Sequence, residues 1–165
     1  FRSQNFSDEK FLLMEKADED RIPKKVMRMF MCQYLLSKTY KDMFDENKIL
    51  SAYSDETERF EAHHIIPLGT VKKVGESTKK LRDDEKNICN SPLNFVYITK
   101  KANKEISDES LKDYVQKINA EAKAKLHITA YTNSDIPQDQ VKQILRERYD
   151  FLKGDIRERI STLLS

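Results

Sequence analysis

Two of the chain's three histidines, His63 and His64, stand side by side in the stretch FEAHHIIPLG, residues 60–69. Two asparagines follow downstream, Asn94 and Asn103, nine positions apart. These residue types suit the hydrolysis of a phosphodiester. Attack on phosphorus needs a water that gives up a proton near neutral pH, and imidazole, with an ordinary pKa of about 6.5, can take it. The charge growing on the leaving oxygen needs a hard divalent cation. One imidazole and one amide carbonyl can hold such an ion, with waters and phosphate oxygens completing its shell. A further amide outside that shell can orient the base. Taken singly, each residue has a plainer reading: a histidine at a strand end is commonly structural, and asparagines beside turns and helices commonly cap. His127 has no partner in the sequence and receives no role.

Such groups work only where rigid elements hold them. Residues 57–66 read as a strand running into a turn at Pro67, Leu68 and Gly69. Residues 92–99, PLNFVYIT, form a second, strongly β-prone strand, and KKANKEI begins a helix directly after it. His63 and His64 then sit at the end of one strand, Asn94 in the next and Asn103 in the helix. Neighbours at a strand end point to different sides, so one can face a metal while the other faces a water. Ile65, Ile66 and Pro67 fix the turn and its packing.

The flanking sequence is helical in period. A short helix is expected at 7–16 and a long buried one at 23–44, with Val26, Met27, Phe30, Met31, Tyr34, Leu35 and Tyr40 at three- and four-residue spacing. A weaker helical stretch covers 46–53. Ser107 or Ser110 can cap another helix to about residue 125. After a loop at 127–140 comes a terminal helix whose stripe is Val141, Ile144, Leu145, Tyr149, Leu152, Ile156, Ile160 and Leu163, with Gly154 as a candidate bend. Residues 70–87 read as a polar loop carrying Lys72, Lys73, Lys79, Lys80 and Arg82, diluted by Asp83, Asp84 and Glu85. A solvated loop and a phosphate-contacting one are both open.

Composition bounds the rest. A chain of 165 residues makes one domain, and 35% charged residues with three glycines and four prolines favour a helix-rich soluble fold. The net charge of +2 balances 30 basic against 28 acidic side chains, so an anion-binding surface must come from local segregation. Cys32 and Cys89 are isolated, which argues against a zinc knuckle and suits a reducing cytoplasm. The longest apolar run, residues 26–36, contains Arg28 and Gln33 and is too short to span a membrane.

The arrangement AHHIIP followed by NSPLNFVYITKKANKEIS resembles the His-Asn-His, or ββα-metal, nuclease motif, also found in the HNH domain of RNA-guided CRISPR effectors. Over roughly residues 58–164 the chain also looks like the C-terminal nuclease part of GmrSD-type restriction proteins, bacterial anti-phage defence enzymes. The resemblance implies a mostly α (α+β) fold, a helical domain with an embedded ββα-metal finger. It divides the chain into a helical segment (1–56), a nuclease core (57–106) and C-terminal helices (107–165). It implies that His64 is the general base, that Asn94 holds the His64 loop or ring, and that His63 and Asn103 bind the metal. The cofactor would be Mg²⁺, or Mn²⁺ or another divalent ion, and the substrate DNA, cut in the cytoplasm. The family's NTP-using N-terminal domain has no counterpart here, and the chain begins with Phe1, so a piece of a larger protein is expected. The span between His64 and Asn94 is longer and more basic than the family pattern, so Lys72, Lys73, Lys79, Lys80 and Arg82 are candidate DNA contacts. A non-catalytic helical module with a degenerate site, and a nuclease acting on RNA, are the alternatives.

Overall fold

A computed structural model of the chain describes residues 24–50, 59–71, 75–84, 86–107, 109–128 and 136–164. The helix expected at 7–16 lies outside them. Helix α1 (Lys24–Lys38) presents Met31, Tyr34 and Leu35 to the core. Strand β1 (Phe60–His64) pairs antiparallel with β2 (Phe95–Thr99), from Phe60 opposite Thr99 to His64 opposite Phe95. Between them come α2 (Leu68–Val71), α3 (Thr78–Asp83) and two 3-10 turns, Ile88–Asn90 and Pro92–Asn94. Helix α4 (Lys100–Ile106) leaves β2 directly, capped by the Thr99 hydroxyl, which accepts from the Ala102 N–H at 3.2 Å. Helices α5 (Leu111–Tyr114), α6 (Ala120–Leu126) and α7 (Gln138–Leu164) complete a mostly helical α+β fold.

The core is one cluster. Phe95, Val96 and Ile98 of β2 are buried, and Val96 and Ile98 belong to the cluster that also takes in side chains of α1, α5 and α7, so this strand reads as an apolar run and not as an alternation. Val141, Leu145, Tyr149, Leu152 and Ile156 keep the stripe of α7 inside, and burial of each aliphatic side chain contributes about 1.5–3 kcal/mol. The side chains of Ile160 and Leu163 lie outside the described residues. Cys32 and Cys89 are free thiols. Among the described residues no helix is long and apolar enough to cross a membrane.

Five sequence expectations differ from the structure. The first long helix stops at Lys38 and not near 44, because the buried Asp42 carboxylate takes the Phe44 N–H at 2.8 Å and the Thr99 N–H at 2.6 Å. That loop is closed by a bridge between Lys41 and Ile49, so no helix forms over residues 46–50. Residues 78–83 are helical, started by Ser77, whose hydroxyl accepts from the Lys80 N–H at 3.2 Å. The helix expected to reach residue 125 is broken, because Ser110 and then Asn119 each cap a new start. Asn94 closes a 3-10 turn one residue before β2.

The α7 helix runs through Gly154 without interruption, and no atom lies within 4 Å of where a Cβ would stand. Gly154→Ala should therefore stabilise the fold by about 0.5–1 kcal/mol through chain entropy alone. Urea unfolding checks this: the midpoint should rise with the slope unchanged. A fall would mean that the helix needs glycine there.

Candidate active site

The chain just past His64 is fixed by one fully buried amide. Asn94 Oδ1 accepts from the Ile66 N–H at 2.9 Å, and Nδ2 donates to the carbonyls of Ile66 (3.2 Å) and Cys89 (2.8 Å). The Asn94 carbonyl accepts from the Ile65 N–H at 2.8 Å, and the Tyr114 hydroxyl donates to the Ile65 carbonyl. Asn94 thus grips the backbone beyond His64 and makes no hydrogen bond to its ring.

His63 is buried, with its ring edge-on to Tyr114 at 5.5 Å between centroids. Its Nδ1 lies 2.9 Å from Asn103 Oδ1, and Asn103 Nδ2 donates to Glu61 Oε2 at 2.9 Å. A carboxylate only accepts, so Glu61 claims the amide nitrogen and turns the amide oxygen toward the imidazole. Burial holds the His63 pKa below its ordinary value, against the opposing hydrogen bond to the Asn103 amide oxygen. The ring is therefore neutral near pH 7, the form that binds metal.

Asn103 Oδ1, and His63 Nδ1 once it is free of its proton, are donor types that can ligate a small divalent cation. Ligands about 2.0–2.1 Å from Mg²⁺ at neighbouring octahedral corners stand about 3 Å apart, and the two candidate donors are 2.9 Å apart. Glu61 would orient one of them from outside the shell. No group of three or more His, Cys, Asp or Glu side chains able to hold a metal occurs among the described residues, so waters or phosphate oxygens would have to complete the shell.

His64 is held differently. Its ring is tilted against Phe95, 4.4 Å between centroids, and its Nε2 lies 3.3 Å from Asn90 Oδ1. Burial pushes its pKa down to about 4, against the Asn90 contact and with help from the charges of His63, Arg28 and Arg82. The Arg28 guanidinium lies over the Phe95 ring, 4.5 Å from its centroid.

His63, His64 and Asn103 line one cleft of about 430 Å³, with Arg28, Arg82 and Phe95 on its walls. Of the basic residues singled out in the sequence, Arg82 reaches this cleft, whereas Lys79 and Lys80 are exposed on α3. Lys72 and Lys73 lie outside the described residues. His127 closes α6 in a left-handed conformation (φ 49°) and stacks on Phe151 at 4.2 Å. Arg28, Glu61 and Asn90 were not anticipated. Arg28 is the charge interrupting an apolar helix, and Glu61 stands two residues before His63 on the same strand. Asn90 is one of three asparagines in NICNSPLN, and nothing in its spacing singles it out.

A family model for the C-terminal domain of GmrSD restriction endonucleases matches residues 7–153 of the chain. No curated protein and no solved structure matches.

The two asparagines should separate in an unfolding experiment. Asn94→Ala strands one buried N–H and two buried carbonyls, each costing about 1–3 kcal/mol, so a loss of about 3 kcal/mol or more is expected. Asn103 is half-buried, and its replacement by alanine should cost about 1 kcal/mol. Equal losses in urea titrations of the two variants would show that the Asn94 clamp is not what holds the turn.

Proposed function

The chain belongs to the family of GmrSD restriction endonuclease C-terminal domains, and we propose that it is the domain that hydrolyses DNA phosphodiester bonds, as an HNH-type nuclease using a divalent cation. Family membership gives a nuclease and restriction-related role. One observation carries the finer reading: two differently held histidines, an amide paired with one of them and two guanidinium groups meet in a single cleft.

In this reading the neutral His64 ring takes a proton from water as the water oxygen attacks phosphorus. The bond to the leaving oxygen breaks, and that oxygen draws its proton from solvent. Arg28 and Arg82 neutralise the non-bridging phosphate oxygens and place the phosphate against His64. His63 and Asn103 would hold Mg²⁺ or Mn²⁺, which when bound would supply positive charge at the reacting phosphate. Asn94 acts on the backbone that carries His64, and Lys79 and Lys80 extend the basic surface along α3. These contacts position a phosphate without reading bases. Target recognition and NTP control are therefore assigned to an N-terminal domain of the full-length protein.

Nicking of supercoiled plasmid by the purified chain tests this. His64→Ala should lose about 10²–10⁴-fold in rate with the Mg²⁺ midpoint unchanged, whereas Asn103→Ala should move that midpoint to higher Mg²⁺. Interchanged effects would reverse the two assignments. The absence of metal-dependent nicking would leave a non-catalytic module, and cleavage confined to RNA would change the substrate.

The pH profile gives a second test. Only neutral His64 can accept a proton, and burial pushes its pKa down to about 4. The rate should stay level through the neutral range and fall as pH drops toward 4. The unfolded ring protonates from about pH 6.5 downward, so the same ring costs the fold stability as pH falls between those values. Circular dichroism at each pH separates the two losses. An acid limb centred near 6.5 in folded protein would show that the base is a solvated imidazole and not His64 as placed here.

A further inference from the structure

The reading of His64 as the base leaves open which ring nitrogen does the work, and Asn90 decides it. This asparagine is fully buried. Its Nδ2 lies 2.7 Å from the Leu81 carbonyl, 2.8 Å from that of Asp84 and 3.3 Å from that of Arg82. Backbone carbonyls only accept, so three of them around one end of the amide identify that end as the NH₂ group. The other end, Oδ1, is therefore the atom 3.3 Å from His64 Nε2. An amide oxygen also only accepts, so the hydrogen between them belongs to Nε2. A neutral imidazole has one such hydrogen, and Nδ1 is left with the lone pair.

We propose that Asn90 is a positioning residue that locks His64 in its Nε2–H tautomer and so makes Nδ1 the basic atom of the site. The lock is anchored on the C-terminal end of α3, whose carbonyls fix the amide, and Phe95 holds the plane of the ring. Catalytic use of the tautomer rests on the nuclease reading above; the tautomer itself does not.

The experiment is therefore run first without substrate or metal. Long-range ¹H–¹⁵N correlation spectra of protein labelled with ¹⁵N-histidine distinguish Nε2–H from Nδ1–H rings at neutral pH. His64 in the wild-type chain should show the pure Nε2–H pattern, and Asn90→Ala should shift it to an averaged or Nδ1–H pattern. If the alanine variant does not fold, Asn90→Ser serves in its place. Its hydroxyl can still donate to one carbonyl but is too short to reach the ring, so the same shift is expected. A mixed or Nδ1–H pattern in the wild type, or an unchanged pattern in a folded variant, overturns the proposal. In the nicking assay the folded variant should lose about 10–100-fold in kcat with KM for DNA unchanged; a loss confined to KM would also overturn it. Failure of the wild type to nick would sink the nuclease reading while leaving the spectra to judge the tautomer.

Discussion

Asn94 closes four hydrogen bonds: its side chain takes the Ile66 N–H and gives to the carbonyls of Ile66 and Cys89, and its backbone carbonyl takes the Ile65 N–H. These groups lie in the turn after β1 and in the 3-10 turn at Ile88–Asn90, and an unmet buried polar group costs about 1–3 kcal/mol. The turn must leave β1 directly after His64 and enter α2 at Leu68. An asparagine is the side chain that can both give and take at such a corner. The same residue precedes Phe95, the partner of His64 in the sheet. One amide therefore fixes both the backbone behind His64 and the start of the strand beneath it.

The helical shell is tied to that corner through Arg148 on α7. Its guanidinium is fully buried and donates to the carbonyls of Leu93, Phe95 and Leu126. Burial pushes its pKa down to about 10, which leaves it charged at neutral pH. A buried charge is costly unless surrounding dipoles meet it. Here two of the carbonyls belong to the residues on either side of Asn94. The long C-terminal helix thus supports the site through the two peptide groups that bracket its central asparagine.

This division explains what the sequence could and could not disclose. The histidine pair, the asparagine of α4 and the strand–strand–helix order were legible because they depend on local pattern: KKANKEI forms the helix its composition demands, with Thr99 as its cap. The helix over residues 78–83 was hidden because a charged, uncapped-looking segment reads as solvated loop, and only the Ser77 hydroxyl marks its start. Arg28, Glu61 and Asn90 were hidden for another reason. Asn90 reaches His64 across 26 residues of sequence, and Glu61 reaches Asn103 across 42. No periodicity reports a side-chain partnership of that span, so the amides that aim the two rings become visible only when the chain is folded.

The two histidines differ because the same device is applied to them from opposite sides. In each case a fixed acceptor claims the NH₂ group of an asparagine, Glu61 for Asn103 and the α3 carbonyls for Asn90, and the amide oxygen is turned onto the ring. On His63 that oxygen meets Nδ1, and Nε2 is buried with no partner among the described residues. On the proposed reading, cation binding at Nδ1 would move the ring proton to Nε2, where a buried N–H without an acceptor costs about 1–3 kcal/mol. On the same reading, one imidazole and one amide, with no carboxylate beside them among the described residues, would by themselves make a weak site for Mg²⁺, an ion commonly held by one or two carboxylates together with substrate phosphates. A phosphate oxygen entering the cleft would supply the missing negative charge. In this reading the cation site and the bound DNA complete one another, and the metal is held firmly only where there is a bond to cut.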